Sequence, residues 1–343
     1  MRKILAIFTA ITIMAGCFTA CSTAPSSSAD KVKNIQIVTT IFPEYDWVMN
    51  ILGNNPAGVE VTLLLDNGAD LHSFQPSASD ILKISTCDVF VYVGGESDEW
   101  VDDVLKEATN KDMIAVNLMD ALGNAIKEEE IIEGMEEHDH EHEHGDDGHD
   151  HEEHDHDHHH EDGGIEYDEH VWLSLKNAAV LVSSIAEAIG KAEPVNAGIY
   201  SANAETYIDK LNKLDKEYAD MVSSASRNVL LFGDRFPFRY MVDEYNLIYY
   251  AAFAGCSAES EASFETITYL AGKVDENSLH AVITIEGKDH KIAETIINNT
   301  NAKDQKILTL DSMQTTTIVD VKNGTTYMSI MENNFEVLKE ALN

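Results

Sequence analysis

Short β-branched runs, each followed by a helical pattern, recur along this chain in two sets of four, and no other feature narrows the fold as far. In the first half they read as strands at Ile35–Thr40, Val59–Leu65, Val89–Gly94 and Ile114–Leu118. Helical patterns lie between them, around Tyr45–Leu52, Ser77–Ser85 and Trp100–Ala108. The second half repeats the scheme, with strands at Val229–Phe232, Ile248–Phe253, Ala281–Ile285 and Ile307–Leu310. Its helices are expected near Phe236–Tyr245, Ser263–Val274, His290–Asn298 and Tyr327–Leu342. Strands that alternate with helices imply βαβ units and parallel sheets covered on both faces. The expected class is α/β, as two doubly wound parallel-sheet lobes spanning residues 34–192 and 227–343.

Between the halves, residues 193–226 place Tyr200, Ala204, Tyr207, Leu211, Leu214, Tyr218 and Met221 at steps of four and three. With Pro194 near its start, this predicts one long amphipathic helix of about eight turns. Such a helix is a stiff rod, unlike a Gly/Ser linker. Two lobes joined by it enclose a cleft that flexes only a little.

At the amino end, Arg2 and Lys3 precede an apolar run from Ile4, then small residues and a polar tether, residues 22–33. Residues 1–21 read as a signal peptide, a spanning helix being the lesser reading. A cysteine closing such a region reads as a lipidated residue. Cys21 is preferred because the tether starts directly after it; Cys17 is the alternative. The expectation is a protein outside the cytoplasmic membrane, held to its outer face by lipid. Cys87 and Cys256 then remain, far apart and in different lobes, so a disulfide is possible but not favoured. Cys87 is most simply a small core residue.

Residues 128–166 form the most unusual stretch. Eleven of the fifteen histidines fall here: His138, His140, His142, His144, His149, His151, His154, His156, His158, His159 and His160. Between Glu128 and Glu169 there are 21 carboxylates and no Lys or Arg, which accounts for 21 of the 38 net negative charges. Such a run cannot bury enough apolar surface to fold, so a disordered loop is predicted. As a bare charge run it would be a solvated spacer. Interleaved imidazole and carboxylate are also donors for Zn²⁺, Ni²⁺ or Cu²⁺, so the loop reads as a metal collector with many weak, overlapping sites. The acidic balance gives no expectation of a nucleic-acid partner.

Two histidines flank this loop in better-defined settings. His72, in DLHSFQPSASD, follows the strand ending near Leu65 and precedes a helix starting around Pro76 or Ser77. His170, in DEHVWLSLKNA, sits just before a helix beginning near Ser174. Loops at the carboxyl ends of a parallel sheet are where open α/β folds place ligands. Either histidine alone is more readily structural; beside a histidine collector, both read as metal ligands.

The order of lipoprotein signal, DLHSFQPSASD, histidine-rich loop, DEHVWLSLKNA, long helix and second α/β lobe resembles the zinc-binding solute receptors of ABC transporters. The similarity covers the whole mature chain. The two histidine motifs resemble the family forms D-P-H-x-[FY]-x-P-[ST]-x-x-D and D-P-H-x-W-L-[DS]-P. Leu71 and Glu169 replace the prolines before the histidines, and Leu175 replaces the later one. The resemblance implies that His72 and His170 bind the metal, and that Asp311, in ILTLDSMQ, joins them from the second lobe. It also implies a His or Glu in a [HE]-x-A-F-x-Y-F motif after the first strand of that lobe. Here Gly233 occupies that place, in LLFGDRFPFRYM, and glycine cannot ligate. Asp234 or a water is the preferred substitute, with Cys256 and His290 behind them.

The expected function is therefore zinc capture by a monomeric receptor that serves an ABC permease and its ATPase, with Zn²⁺ as cargo. A manganese or iron receptor shares the architecture, and a surface zinc buffer or adhesin would need only the loop. A zinc hydrolase is the least favoured reading: G-x-S-x-G does not occur, and H-E-x-x-H occurs only as His140–His144 inside the low-complexity histidine run, where no helix is expected to set the two histidines on one face, although the carboxylates before His170 could act as a base;. No enzyme activity is expected.

Overall fold

In the computed structural model, residues 35–135, 166–255, 261–287 and 289–343 are described. The expected signal peptide, Cys17, Cys21, the eleven loop histidines and Cys256 lie outside them. The first lobe runs β1 (Gln36–Thr39), α1 (Phe42–Leu52), β2 (Glu60–Leu63), α2 (Ala78–Thr86), β3 (Val89–Tyr92), α3 (Trp100–Glu107), β4 (Ile114–Asn117) and α4 (Leu118–Leu122). Then α5 (Leu175–Ala192) and α6 (Ala197–Ser224) lead to the second lobe. That lobe runs β5 (Val229–Phe236), α7 (Arg239–Glu244), β6 (Ile248–Ala254), α8 (Phe264–Glu276), β7 (Ala281–Thr284), α9 (Lys291–Asn299), β8 (Lys306–Thr309), α10 (Ile318–Lys322) and α11 (Tyr327–Leu342).

Both sheets are four-stranded and parallel, ordered β2-β1-β3-β4 and β6-β5-β7-β8. The class expected from the sequence is the one observed. In each sheet the chain leaves its first strand to one side and returns on the other, so a crevice opens between β1 and β3, and again between β5 and β7. Local chemistry sets the helix starts. Before α2, Ser77 and Asp80 form a capping box, the Ser77 hydroxyl accepting from the Asp80 amide at 3.3 Å and the Asp80 carboxylate from the Ser77 amide at 3.1 Å;.

The connector is the long helix expected, narrowed to α6. All seven residues of its apolar stripe are buried, and the side chains of Leu211, Leu214 and Met221 are each worth roughly 1.5–3 kcal/mol in that position. Its start falls after Pro194 because Glu193 organises the turn, accepting from the Asn196 amide at 3.0 Å and the Tyr200 hydroxyl at 3.0 Å. The main core is continuous from the first lobe through α6 into the second, and includes Trp47, Trp172, Tyr200, Tyr218 and Tyr327. A smaller cluster fills the space beneath α8 and α9. Cys87 is a free, buried thiol, pushed up to about 12 by burial and then by Asp88.

Two differences from the expected elements matter for the site. Strand β5 does not stop at Phe232 but continues to Phe236 through a register shift between Phe232 and Arg235. Consequently α7 begins at Arg239, after Pro237, rather than at Phe236. Gly233-Asp234 has turn-like composition, yet packing makes it a bulge. A Cβ on Gly233 would lie 2.7 Å from Ala293 Cα, so only glycine lets α9 approach β5 this closely;.

Polar bonds stitch the lobes beside the seam. Trp172 Nε1 donates to the Ser312 carbonyl at 2.9 Å, and the Tyr327 hydroxyl to the Trp172 carbonyl at 2.7 Å. Beneath the His72 turn, Ile41, Leu65, Leu71, Trp172 and Met313 leave a void of only about 10 Å³. Among the described residues, no helix is long and apolar enough to cross a membrane.

Candidate metal centre

His72 lies in the 3-10 turn Leu71–Ser73 between β2 and α2. The turn is capped by Asp70, whose Oδ1 accepts the His72 amide at 3.0 Å. His170 follows Asp168 and Glu169 at the foot of the histidine-rich segment, ahead of the 3-10 turn Val171–Leu173. The sequence separates the histidines by 98 positions, yet the fold sets Nε2 of one 3.2 Å from Nε2 of the other. His170 is fully buried and His72 partly so.

The outer nitrogens explain why both Nε2 atoms turn inward. His170 Nδ1 lies 3.0 Å from Asp168 Oδ1, which also accepts the His170 amide at 2.8 Å. His72 Nδ1 lies 2.8 Å from Ser97 Oγ and makes an ion-pair contact of 3.3 Å with Glu169 Oε2. Burial pushes the Glu169 carboxyl up, but His72 and Ser97 more than reverse this and hold it below its ordinary range. An ionised carboxylate only accepts, so the Nδ1 positions carry the protons. With Nδ1 engaged on each ring, both Nε2 atoms are directed at the space between the rings, where a cation can take them as ligands, and carboxylate-backed imidazoles are characteristic of zinc sites;. Two nitrogens at tetrahedral angles on Zn²⁺ stand about 3.3 Å apart, given Zn–N distances near 2.05 Å. The observed spacing fits.

Close packing keeps the pair in place. Glu169 Oε1 accepts the Ser97 amide at 2.8 Å. This requires glycine at 95, where φ is +80° and a Cβ would stand 2.4 Å from that oxygen;. Gly255, after β6, leaves no more room: a Cβ there would meet His170 Cε1 at 3.1 Å.

The second lobe's candidates sit differently. Asp311, after β8, uses Oδ1 to accept the Met313 amide at 2.8 Å. Burial, then the Glu286 charge, pushes its carboxyl up to about 7. Asp234, the preferred substitute for the missing ligand, spends both oxygens on backbone: Oδ1 accepts the Arg235 amide at 2.8 Å and Oδ2 the Ile285 amide at 3.2 Å. It thereby ties the bulge of β5 to the end of β7. His290 is the residue before α9, with Nδ1 buried and unpartnered. Among the described residues, no group of three or more His, Cys, Asp or Glu side chains is close enough to hold a metal ion. The structure brings His72 and His170 together and leaves Asp311, Asp234 and His290 outside such a group.

Sequence reasoning missed Ser97, which reaches His72 from the loop after β3 and carries no motif. It also missed the partner of Arg235: beside Asp234 that residue suggests a local ion pair, yet its guanidinium reaches Asp70 Oδ2 at 2.8 Å across the seam. Burial pushes the Asp70 carboxyl up, but Arg235 and the His72 side reverse it to below the ordinary range. The signal for Asp168 and Glu169 was present, as two carboxylates immediately before His170.

Two parallel-sheet lobes on one long helix, with imidazoles converging at the strand ends beside the seam, are the build of a two-lobed metal-binding solute receptor. Comparison with known proteins agrees. The chain belongs to the family described as ZnuA, zinc-uptake complex component A, periplasmic, whose profile matches residues 37–341. It is 30% identical over 335 residues to the high-affinity zinc uptake system protein ZnuA of Bacillus subtilis, covering 96% of each chain. It is 30% identical over 305 residues to zinc-binding protein AdcA of Streptococcus pyogenes, covering 89% of this chain and 55% of that protein. The chain thus spans about half the length of that relative. The crystal structure of the Zn(II)-bound ZnuA-like domain of Streptococcus pneumoniae AdcA superposes with a TM-score of 0.66 at 26% identity, covering 90% of this chain and 99% of that one.

Proposed function

We propose that this protein captures Zn²⁺ outside the cytoplasmic membrane and delivers it to an ABC permease. The observation that carries the reading is the pair of Nε2 atoms 3.2 Å apart, each imidazole backed through Nδ1 by a carboxylate. Such a pair binds a borderline cation in preference to a hard one, which favours zinc over manganese. His72 and His170 are the first two ligands. Asp311, which the family resemblance implies as the third ligand, approaches the pair only when the ion binds, since no third His, Cys, Asp or Glu among the described residues stands close enough beforehand. With Gly233 mute and Asp234 engaged, water completes the shell. The relatives' names, which specify zinc binding and zinc uptake, support the same cargo.

A binding protein suits the site better than an enzyme does. Asp168 and Glu169 would be the base of a hydrolase, but both hold imidazoles and Glu169 also holds the Ser97 amide. The family description, periplasmic, supports an extracytoplasmic setting. Lipidation at Cys21 and docking on a permease with its ATPase complete the proposal. Metal analysis of the purified protein tests it: wild type retains one tightly held zinc, and His72→Ala or His170→Ala loses it while the histidine-rich segment stays intact. A double mutant that still held one zinc tightly would end the reading.

A further inference from the structure

The bulge in β5 has a product. Gly233 is pressed against α9 and cannot carry a side chain. Asp234 fixes the backbone that follows through the Arg235 and Ile285 amides. The next residue, Arg235, is partly buried and crosses from the second lobe to the first, where Nη2 meets Asp70 Oδ2 at 2.8 Å. The other oxygen of the same carboxylate holds the His72 amide at 3.0 Å. One carboxylate therefore links a guanidinium on β5 to the backbone of the residue whose imidazole faces His170.

We propose that Arg235 is a positioning residue for metal capture, clasping Asp70 across the cleft so that the His72 turn is held metal-ready without any ligand from β5. This rests on the zinc reading above. A ligand on β5 would draw the lobes together only when metal was present, whereas an ion pair does so beforehand. The pair is also neutral overall, so it places no net positive charge beside an incoming dication. The fork of the guanidinium suits it to carboxylate in a way that lysine cannot match. Zinc therefore enters a preset site, and the clasp governs how readily the ion leaves.

The test follows zinc transfer to a chromogenic chelator from full-length protein loaded with one equivalent. Arg235→Ala and Asp70→Asn are each expected to speed release about tenfold, as for one lost charge-assisted hydrogen bond. Asn at 70 keeps the acceptor for the His72 amide and replaces the oxygen that meets the guanidinium by an NH2 group, which cannot accept from it;. The double variant should be no faster than either single one, because both remove the same contact. Arg235→Lys should recover part of the loss. Association should slow by a smaller factor and the metal-free thermal midpoint should fall only slightly, whereas a merely structural role would lower the midpoint and leave release unchanged. Unchanged release, additive effects, or slower release because a freed Asp70 takes the metal would each overturn the proposal. If the wild type held no zinc, the functional reading would fail, and small-angle scattering of the metal-free proteins would still test the clasp. Expansion of Arg235→Ala relative to wild type supports it, and equal radii overturn it.

Discussion

His170 is fully buried, and its Nδ1 proton is held by the Asp168 carboxylate at 3.0 Å. Removing that acceptor frees the ring to turn and lowers the basicity of Nε2. Asp168→Ala is therefore expected to weaken zinc by about 10–100-fold, the usual loss for such a partner, as read by competition with a chelator. Far from the site, Asp46 is buried beneath the α6 connector, accepting from the Tyr207 hydroxyl at 3.2 Å and from Asn50 Nδ2 at 3.1 Å. Burial pushes its carboxyl up to about 6 despite those donors. A pKa raised above the unfolded value means stability present at low pH and lost as pH rises from about 4 through 6. Asp46→Asn is expected to raise the thermal midpoint at pH 7, by on the order of 2–3 kcal/mol of stability, with the gain vanishing near pH 4. A midpoint difference that did not change with pH would contradict this. At this scale the sequence marked His72, His170 and the carboxylates before His170, because they sit in contiguous motifs. Ser97 and the Arg235–Asp70 contact were invisible, since Ser97 comes from the turn after β3 and Arg235 from β5, and each arrives through tertiary packing alone.

Strand β5 shows where local reading gives way to packing. The apolar run ends at Phe232, and no local rule announces that α9 will press Ala293 against Gly233 and carry the strand on. The remaining strands fell within a residue or two of expectation, since short β-branched runs bounded by turn residues leave little choice. The stripe on α6 was legible residue by residue for the corresponding reason, a 3.6-residue period sustained through the helix;. The bulge also decides what a restored ligand would do. Gly233→His would place its Cβ 2.7 Å from Ala293 Cα and 2.8 Å from its Cβ, pointing at α9. The variant is expected to lose about 1–3 kcal/mol of stability through overpacking, without tighter zinc binding. A chemical-denaturation midpoint at wild-type level together with a higher zinc affinity would show that β5 can offer a ligand after all.

For the molecule as a whole, the central question is how the histidine-rich segment and the folded site share the work. Its two roots are fastened to each other before it departs. Glu128 and Tyr167 pair as an antiparallel bridge, the Glu129 amide donating to the Glu166 carbonyl at 2.9 Å and the Asp168 amide to the Lys127 carbonyl at 2.9 Å. The Tyr240 hydroxyl then binds the Asp168 carbonyl at 2.7 Å, and the Lys127 amide donates to the same hydroxyl at 3.1 Å. Asp168, Glu169 and His170 are thus held by the bridge and by the second lobe, independently of what lies between the roots. Excising His138–His160 therefore leaves the framework of the folded site in place. If the two kinds of site share no ligand, their binding free energies add, and deletion should leave the affinity of the tight site within about twofold of wild type. The total zinc bound at saturation should fall, because eleven imidazoles have been removed. Calorimetric titration of both proteins separates the outcomes: one surviving tight step with fewer weak ones supports the division of labour. Loss of the tight step on deletion would mean that the segment itself supplies a ligand to the ion held by His72 and His170.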